Sequence, residues 1–151
     1  MSNPIIFPGV SPRFGLPLLF AGQAQKEFSV NEAHALTDAL LHCAIEGEAA
    51  GPPAAPVDGT AWLVGVFASG EWIGQEGSIA CRQGGNWLYV TPSDGMRVLD
   101  RSTGQMRLFF GTWKIAAVPP QPIGGSVVDS EARAAILQLI GALRIAGVLP
   151  A

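Results

Sequence analysis

Charge is what this sequence has least of. Only 14% of its 151 residues are Asp, Glu, Lys or Arg, against about 25% in an ordinary soluble domain. The surface therefore lacks the ionic coat of a solitary monomer, and with 48% apolar residues some of it is expected to meet a partner. Nine Lys and Arg against twelve Asp and Glu leave a net charge of -3. No basic stripe is available to neutralise phosphates, which argues against nucleic acid as a partner.

Metal-binding and nucleophilic side chains are equally scarce. The two histidines, His34 and His42, stand eight apart, roughly 80° from each other around a helix, and do not readily share a ligand. The two cysteines, Cys43 and Cys81, lie in unlike contexts and read as buried reduced thiols rather than a disulfide framework. Neither a Cys-x-x-Cys nor a His-Glu-x-x-His spacing occurs, so no metal, cofactor or catalytic residue is expected, and the chain reads as non-enzymatic. Glu71, Glu76, Asp94 and Asp100 could in principle form a glycosidase pair, but acids beside glycines are ordinary turn residues.

Long apolar runs are also missing. Each is broken by Gly, Pro or a charge well short of the roughly 20 residues that span a bilayer, so no membrane insertion is expected. Met1-Ser2-Asn3-Pro4 lacks the basic start of a secretory leader, so export by cleavage is not expected and synthesis is expected to end in the cytoplasm.

What the chain does hold is organised in five segments. Residues 1–28 carry Pro4, Pro8, Pro12 and Pro17 among Phe14, Leu16, Leu18 and Phe20, and read as an extended apolar arm that lies against its own domain or a neighbour. Ser29 and Glu32 have capping-box spacing, which predicts a helix within 29–50, beginning near Val30 and stopping at Gly47. Across 56–116 short apolar runs alternate with Gly turns, the pattern of an antiparallel β unit. Three Gly-x-Trp steps, at Trp72, Trp87 and Trp113, each place a turn before an aromatic that can anchor the next strand. Residues 117–128 form a Pro/Gly linker. The segment 129–147 is a terminal helix capped by Asp129 or Ser130, with Ala132, Ile136, Leu139, Leu143 and Ala146 in coiled-coil spacing. The expectation is an α+β fold in which residues 29–147 form one unit, with a small antiparallel meander or sandwich flanked by arm, helix and terminal helix.

Several stretches carry a resemblance. Pro12-Arg13-Phe14-Gly15-Leu16-Pro17, Ala21-Gly22-Gln23-Ala24-Gln25-Lys26-Glu27, Val30-Asn31-Glu32-Ala33, Pro56-Val57-Asp58-Gly59 and the Gly-x-Trp steps around Gly77-Ser78-Ile79-Ala80 resemble the domain of unknown function 2793 family of phage and gene transfer agent proteins. Val128 to Ile136 is similar to the helix that often follows that domain. The resemblance implies a virion protein of a head spike or tail fibre, aiding attachment to host surface polysaccharide, and implies no catalytic residues. With no large receptor-binding region in its 151 residues, the chain looks like a spike base or fibre adaptor.

Such a protein is expected to form a trimer or pentamer and to contact other capsid, fibre or tail proteins. Candidate interface residues are Phe14, Leu16, Leu18, Phe20, Gln23 and Gln25 in the arm, with Ile136, Leu139 and Leu143 in the terminal helix. The alternative is a carbohydrate-binding module whose flat aromatic faces, Trp72, Trp87, Tyr89 and Trp113, contact host polysaccharide.

Overall fold

The computed structural model of the chain describes residues 26–121, 123–125 and 129–150. Helix α1 (Lys26–Leu40) is followed by strands β1 (Ala44–Ile45), β2 (Glu48–Ala49) and β3 (Ala61–Val64), then by a 3-10 turn at Gly70–Trp72. Strands β4 (Ile79–Gln83), β5 (Asn86–Val90), β6 (Arg97–Asp100), β7 (Gln105–Phe110) and β8 (Thr112–Lys114) lead to helix α2 (Ser130–Ile145). The result is an α+β fold built on two four-stranded sheets, ordered β1-β6-β7-β8 and β2-β3-β4-β5.

The expected antiparallel unit is present as two meanders, β3-β4-β5 and β6-β7-β8, with antiparallel pairing throughout. Gly84 and Gly85 turn the first (φ 55 and 76) and Gly111 the second (φ 67), conformations that glycine reaches without steric cost.

Residues 41–49 depart from the expected 29–50 helix. The helix stops at Leu40 because His42 takes a left-handed backbone (φ 54), after which the chain becomes a strap across both sheets. Cys43 and Ile45 carbonyls accept from Leu99 N–H of β6 and from Arg101 N–H just after it at 3.0 and 2.9 Å, while Glu46 N–H donates to Ala61 O of β3 at 2.8 Å and Gly47 O accepts from Leu63 N–H at 2.9 Å. β1 and β2 thus pair in parallel with β6 and β3, giving mixed sheets. Leu41 stays in the turn, 68% exposed, while Cys43 and Ile45, two apart on the extended strap, both pack on the main core. The other end of α1 also differs: it begins at Lys26, so Ser29 falls inside the helix and is not its cap.

Between the sheets lies the main core of Ile45, Ala61, Leu63, Ile79, Cys81, Val90, Met96 and Val98, against which Leu36, Ala39 and Leu40 of α1 pack. A second cluster, Val64, Trp72 and Ala80, covers the outer face of the second sheet, so β3 and β4 are buried on both faces.

Helix α2 matches its expected bounds. Asp129 is its N-cap, the carboxylate accepting from Ala132 N–H at 2.8 Å. Its far end docks on β7: Met106 N–H donates to Gly147 O at 2.6 Å, and the buried Gln105 amide donates to Ala116 O and Val148 O at 2.7 and 2.8 Å.

Candidate functional site

The parallel strap and the two meanders leave a groove of about 610 Å3 where the sheets diverge. Leu63 of β3, Phe109 of β7 and Trp113 of β8 line it together with Arg107, while Glu48, Glu76, Thr91 and Thr112 also border it. Trp113 is held in place by its indole N–H, which donates to Gly77 O at 2.8 Å, and by an edge-to-face contact with Phe109 at 5.3 Å.

One wall of the groove is charged. Arg107 Nη1 donates to Glu48 Oε2 at 2.6 Å, joining β7 to the strap. Its Nε and Nη2 hold Asp100, which is fully buried, at 2.8 and 2.6 Å. The other Asp100 oxygen accepts from Ser102 N–H and Oγ at 2.9 and 2.6 Å. Burial alone pushes the Asp100 carboxyl up, but the Ser102 hydroxyl and the Arg107 guanidinium outweigh it and hold the group below the usual carboxylate range. With Arg107 committed to two acids, Glu76 leaves the lip of the groove acidic.

The four aromatics proposed for sugar contact do not form one platform. Trp72 is in the core at 0% exposure and offers no face to a sugar, a correction to the strand-anchoring role read from its Gly-x-Trp step. It sits instead in the 3-10 turn, edge-on to Trp87 at 5.1 Å. Trp87 donates its indole N–H to Glu71 Oε2 at 3.1 Å, and the Arg82 guanidinium lies 5.1 Å from its ring centre. Tyr89 donates its hydroxyl to Glu71 O at 2.6 Å, and burial first, then the Glu71 charge, raise its pKa. These three close the outer face of the second sheet, and Trp113 alone reaches the groove.

The acids are likewise dispersed. Glu71 serves Trp87, Glu76 Oε1 accepts from Ala68 N–H at 3.3 Å, Asp94 Oδ1 accepts from Gly111 N–H at 2.7 Å, and Asp100 serves Arg107. Cys43 and Cys81 border a small recess with Asp38 and His42, and burial pushes their thiols up to about 11 and 12. Among the described residues no three His, Cys, Asp or Glu are grouped to hold a metal ion.

Of the interface candidates, Phe14, Leu16, Leu18, Phe20, Gln23 and Gln25 lie outside the described residues. Ile136 and Leu139 are exposed on α2, Leu139 at 60%, and Leu143 is half-buried. The helix rests on its Ile140 side instead, which is buried. The apolar run 62–67 reads as a strand in sequence, but β3 ends at Val64, and Val66 and Phe67, with Ile73 further along, are exposed in the loop that follows. Phe67 is 90% exposed and holds a left-handed backbone (φ 58), which an aromatic residue rarely adopts.

A family model described as "Protein of unknown function (DUF2793)" matches residues 30–114, from within α1 to the end of β8. No curated protein matches the chain.

Proposed function

Because this chain belongs to the domain of unknown function 2793 family, we propose that it is a non-enzymatic structural protein of a phage or gene transfer agent particle, a spike base or fibre adaptor that aids attachment to the host surface. The observation that carries this reading is the apolar surface turned to solvent. Leu139 and Ile145 on α2 are 60% and 92% exposed, and Ile136 and Leu137 beside them are also exposed. A helix of 16 residues is marginal unless its apolar side is covered, and the spacing Ala132, Ile136, Leu139, Leu143, Ala146 is that of a seam between like helices. The partners are other copies of the chain, in a trimer or pentamer, and the neighbouring capsid, fibre or tail proteins. Its place is the particle, after synthesis in the bacterial cytoplasm.

The test is the mass of the purified full chain by light scattering across a range of concentrations. A discrete trimer or pentamer that dissociates in Leu139→Glu, with the circular dichroism spectrum unchanged, supports the reading. A monomer at every concentration that is also absent from purified particles sinks it.

A second reading, recognition of host surface polysaccharide, is favoured by one observation, the placement of Trp113 in an acidic groove. It predicts that polysaccharide quenches Trp fluorescence in the native chain and not in Trp113→Phe.

A further inference from the structure

Each sheet has an outer face turned away from the main core, and the two faces are finished differently. That of the second sheet is closed by Trp72, Trp87 and Tyr89 around Glu71. On the first sheet Val98 points into the core, so Arg97 and Leu99 of β6 point out. Across the ladder Arg97 stands beside Leu108 of β7 and Leu99 beside Met106, while Leu108 and Phe110 stand beside Lys114 and Thr112 of β8. Met106, Leu108 and Phe110 thus form an apolar row along β7, about 13 Å long at the usual rise per residue. Arg97 flanks it on one side and Lys114 on the other, two strand spacings or roughly 10 Å apart.

The tail after α2 covers only the start of this row. Gly147 lies against Met106, and Val148 borders a cleft of about 370 Å3 together with Leu108, Arg97 and Lys114. Further along, Phe110 is 61% exposed and Leu99 36%. An apolar sheet face is stable when another layer packs on it.

The two cations define what that layer carries. Every other arginine between β1 and β8 has an acid: Arg82 has Asp58, Arg101 has Glu46, and Arg107 has Glu48 and Asp100. Among the described residues Arg97 has no acid partner and neither has Lys114, whose ammonium lies 5.0 Å from the centre of the Phe110 ring. The missing layer therefore brings an apolar stripe with an acid on each border. A helix, about 10–12 Å across, fits lengthwise along β7 between the two cations, and the borders of its apolar stripe are where such acids stand.

This chain holds no matching segment. Helix α2 carries Arg133 and Arg144 with Glu131 as its single acid, α1 packs its apolar side on the main core, and residues 1–25 have Arg13 as their only charged side chain. Charge complementarity points to a different protein.

We infer that the outer face of the first sheet is the docking surface for an amphipathic helix of another protein, with the helix's apolar stripe on Met106, Leu108 and Phe110 and its bordering Asp or Glu side chains on Arg97 and Lys114. This rests on the structural-protein reading for the source of the helix, a neighbouring component of the particle.

The test titrates the isotope-labelled full chain with two synthetic helical peptides of equal length, one with a leucine stripe bordered on both sides by Glu and one with Lys in those places. The Glu peptide is expected to shift the amide resonances of β6, β7 and β8 and to bind about tenfold more tightly than the Lys peptide, the difference between two exposed ion pairs made and two opposed, and less so as salt is added. Arg97→Glu/Lys114→Glu is expected to reverse the preference with the circular dichroism spectrum unchanged. Equal affinity for the two peptides, or a preference that survives the charge reversal, overturns the inference. So does a charge-reversed variant that loses a native oligomer, which would put a second copy on this face. Binding to phosphatidylglycerol vesicles through Arg97 and Lys114 without binding to the Glu peptide would put a lipid surface there and overturns it as well. Light scattering on the same samples separates the two readings: an oligomer that does not take the Glu peptide overturns the helix assignment alone, and a monomer absent from purified particles that still takes it overturns the structural-protein reading alone.

Discussion

Arg107 grips the Asp100 carboxylate through Nε at 2.8 Å and Nη2 at 2.6 Å, and Nη1 of the same guanidinium reaches Glu48 on the strap at 2.6 Å. One side chain on β7 thereby ties its own sheet to the first strand of the other. Removing Arg107 strands a buried carboxylate. Arg107→Met is expected to lower unfolding free energy by about 3–5 kcal/mol, the usual cost of leaving one member of a buried pair unpaired. Urea midpoints measure it, and a loss below about 1 kcal/mol would mean that the pair does not join the sheets.

The same pair sets an acid limit. Asp100 is held below the ordinary carboxylate range, so the folded chain binds fewer protons than the unfolded one wherever pH lies between the two values. Stability then rises with pH across that window. The contribution is complete above about pH 4, near the unfolded value, and is lost as pH falls through the folded one. Asp100→Asn, although less stable at pH 7, should show a shallower loss of stability below pH 4. Parallel acid titrations of the two proteins would refute this.

Gln105 does for α2 what Arg107 does for the strap. Its buried amide holds the segment after β8 through Ala116 O and the turn after α2 through Val148 O. Gln105→Leu leaves both carbonyls without that donor, at a cost of about 1–3 kcal/mol. The amide protons of Gly147 to Leu149 should exchange faster while those of β3 and β4 do not change. Unaltered exchange at the tail would show that the Met106 to Gly147 bond suffices.

How much of this was legible depends on sequence distance. The cap at Asp129 and the glycine turns at Gly84-Gly85 and Gly111 are local, and both α2 and the meanders follow from neighbouring residues. The strap was not legible, because Ile45 and Glu48 become strand only when β6 and β3 are in place to bond them. Trp72 misled for a similar reason: Gly70-Glu71-Trp72 has the same local pattern as the other two steps, but the outer face of β3 and β4 draws its ring into a core. The groove had no signal at all, since its walls come from β3, β7 and β8 and from the loops between them. Phe67 ends an apolar run, 62–67, that has the look of a strand, and nothing local marks that β3 stops at Val64.

Cys43 and Cys81 supply a check on the main core. Burial raises their thiols to about 11 and 12, so neither is a useful nucleophile at neutral pH. In the native chain at pH 8 both should react with a disulfide reagent at least tenfold slower than after unfolding in urea. Because the folded values lie above the unfolded value of 9.0, their contribution is intact below pH 9 and is lost as pH rises toward 11. Rapid labelling of Cys81 at pH 8 would mean that β3 and β4 open readily.

The exposed Phe67 ties conformation to association. At φ 58 its backbone costs about 1–2 kcal/mol relative to a right-handed or extended one, and at 90% exposure the ring recovers little of this by burial. The chain is held on both sides of it, by Gly65 N–H donating to Ala49 O at 2.8 Å before it and by Ser69 N–H donating to Ala50 O at 2.7 Å and Glu76 Oε1 accepting from Ala68 N–H after it. Asn tolerates left-handed geometry, so Phe67→Asn should raise stability by about 1 kcal/mol, read as a higher thermal midpoint. If the strain serves to present an apolar contact to a partner, the same variant should weaken association while gaining stability. A variant that loses both would show instead that the ring packs within its own loop, and one that gains stability without weakening association would show that Phe67 lies outside the contact surface.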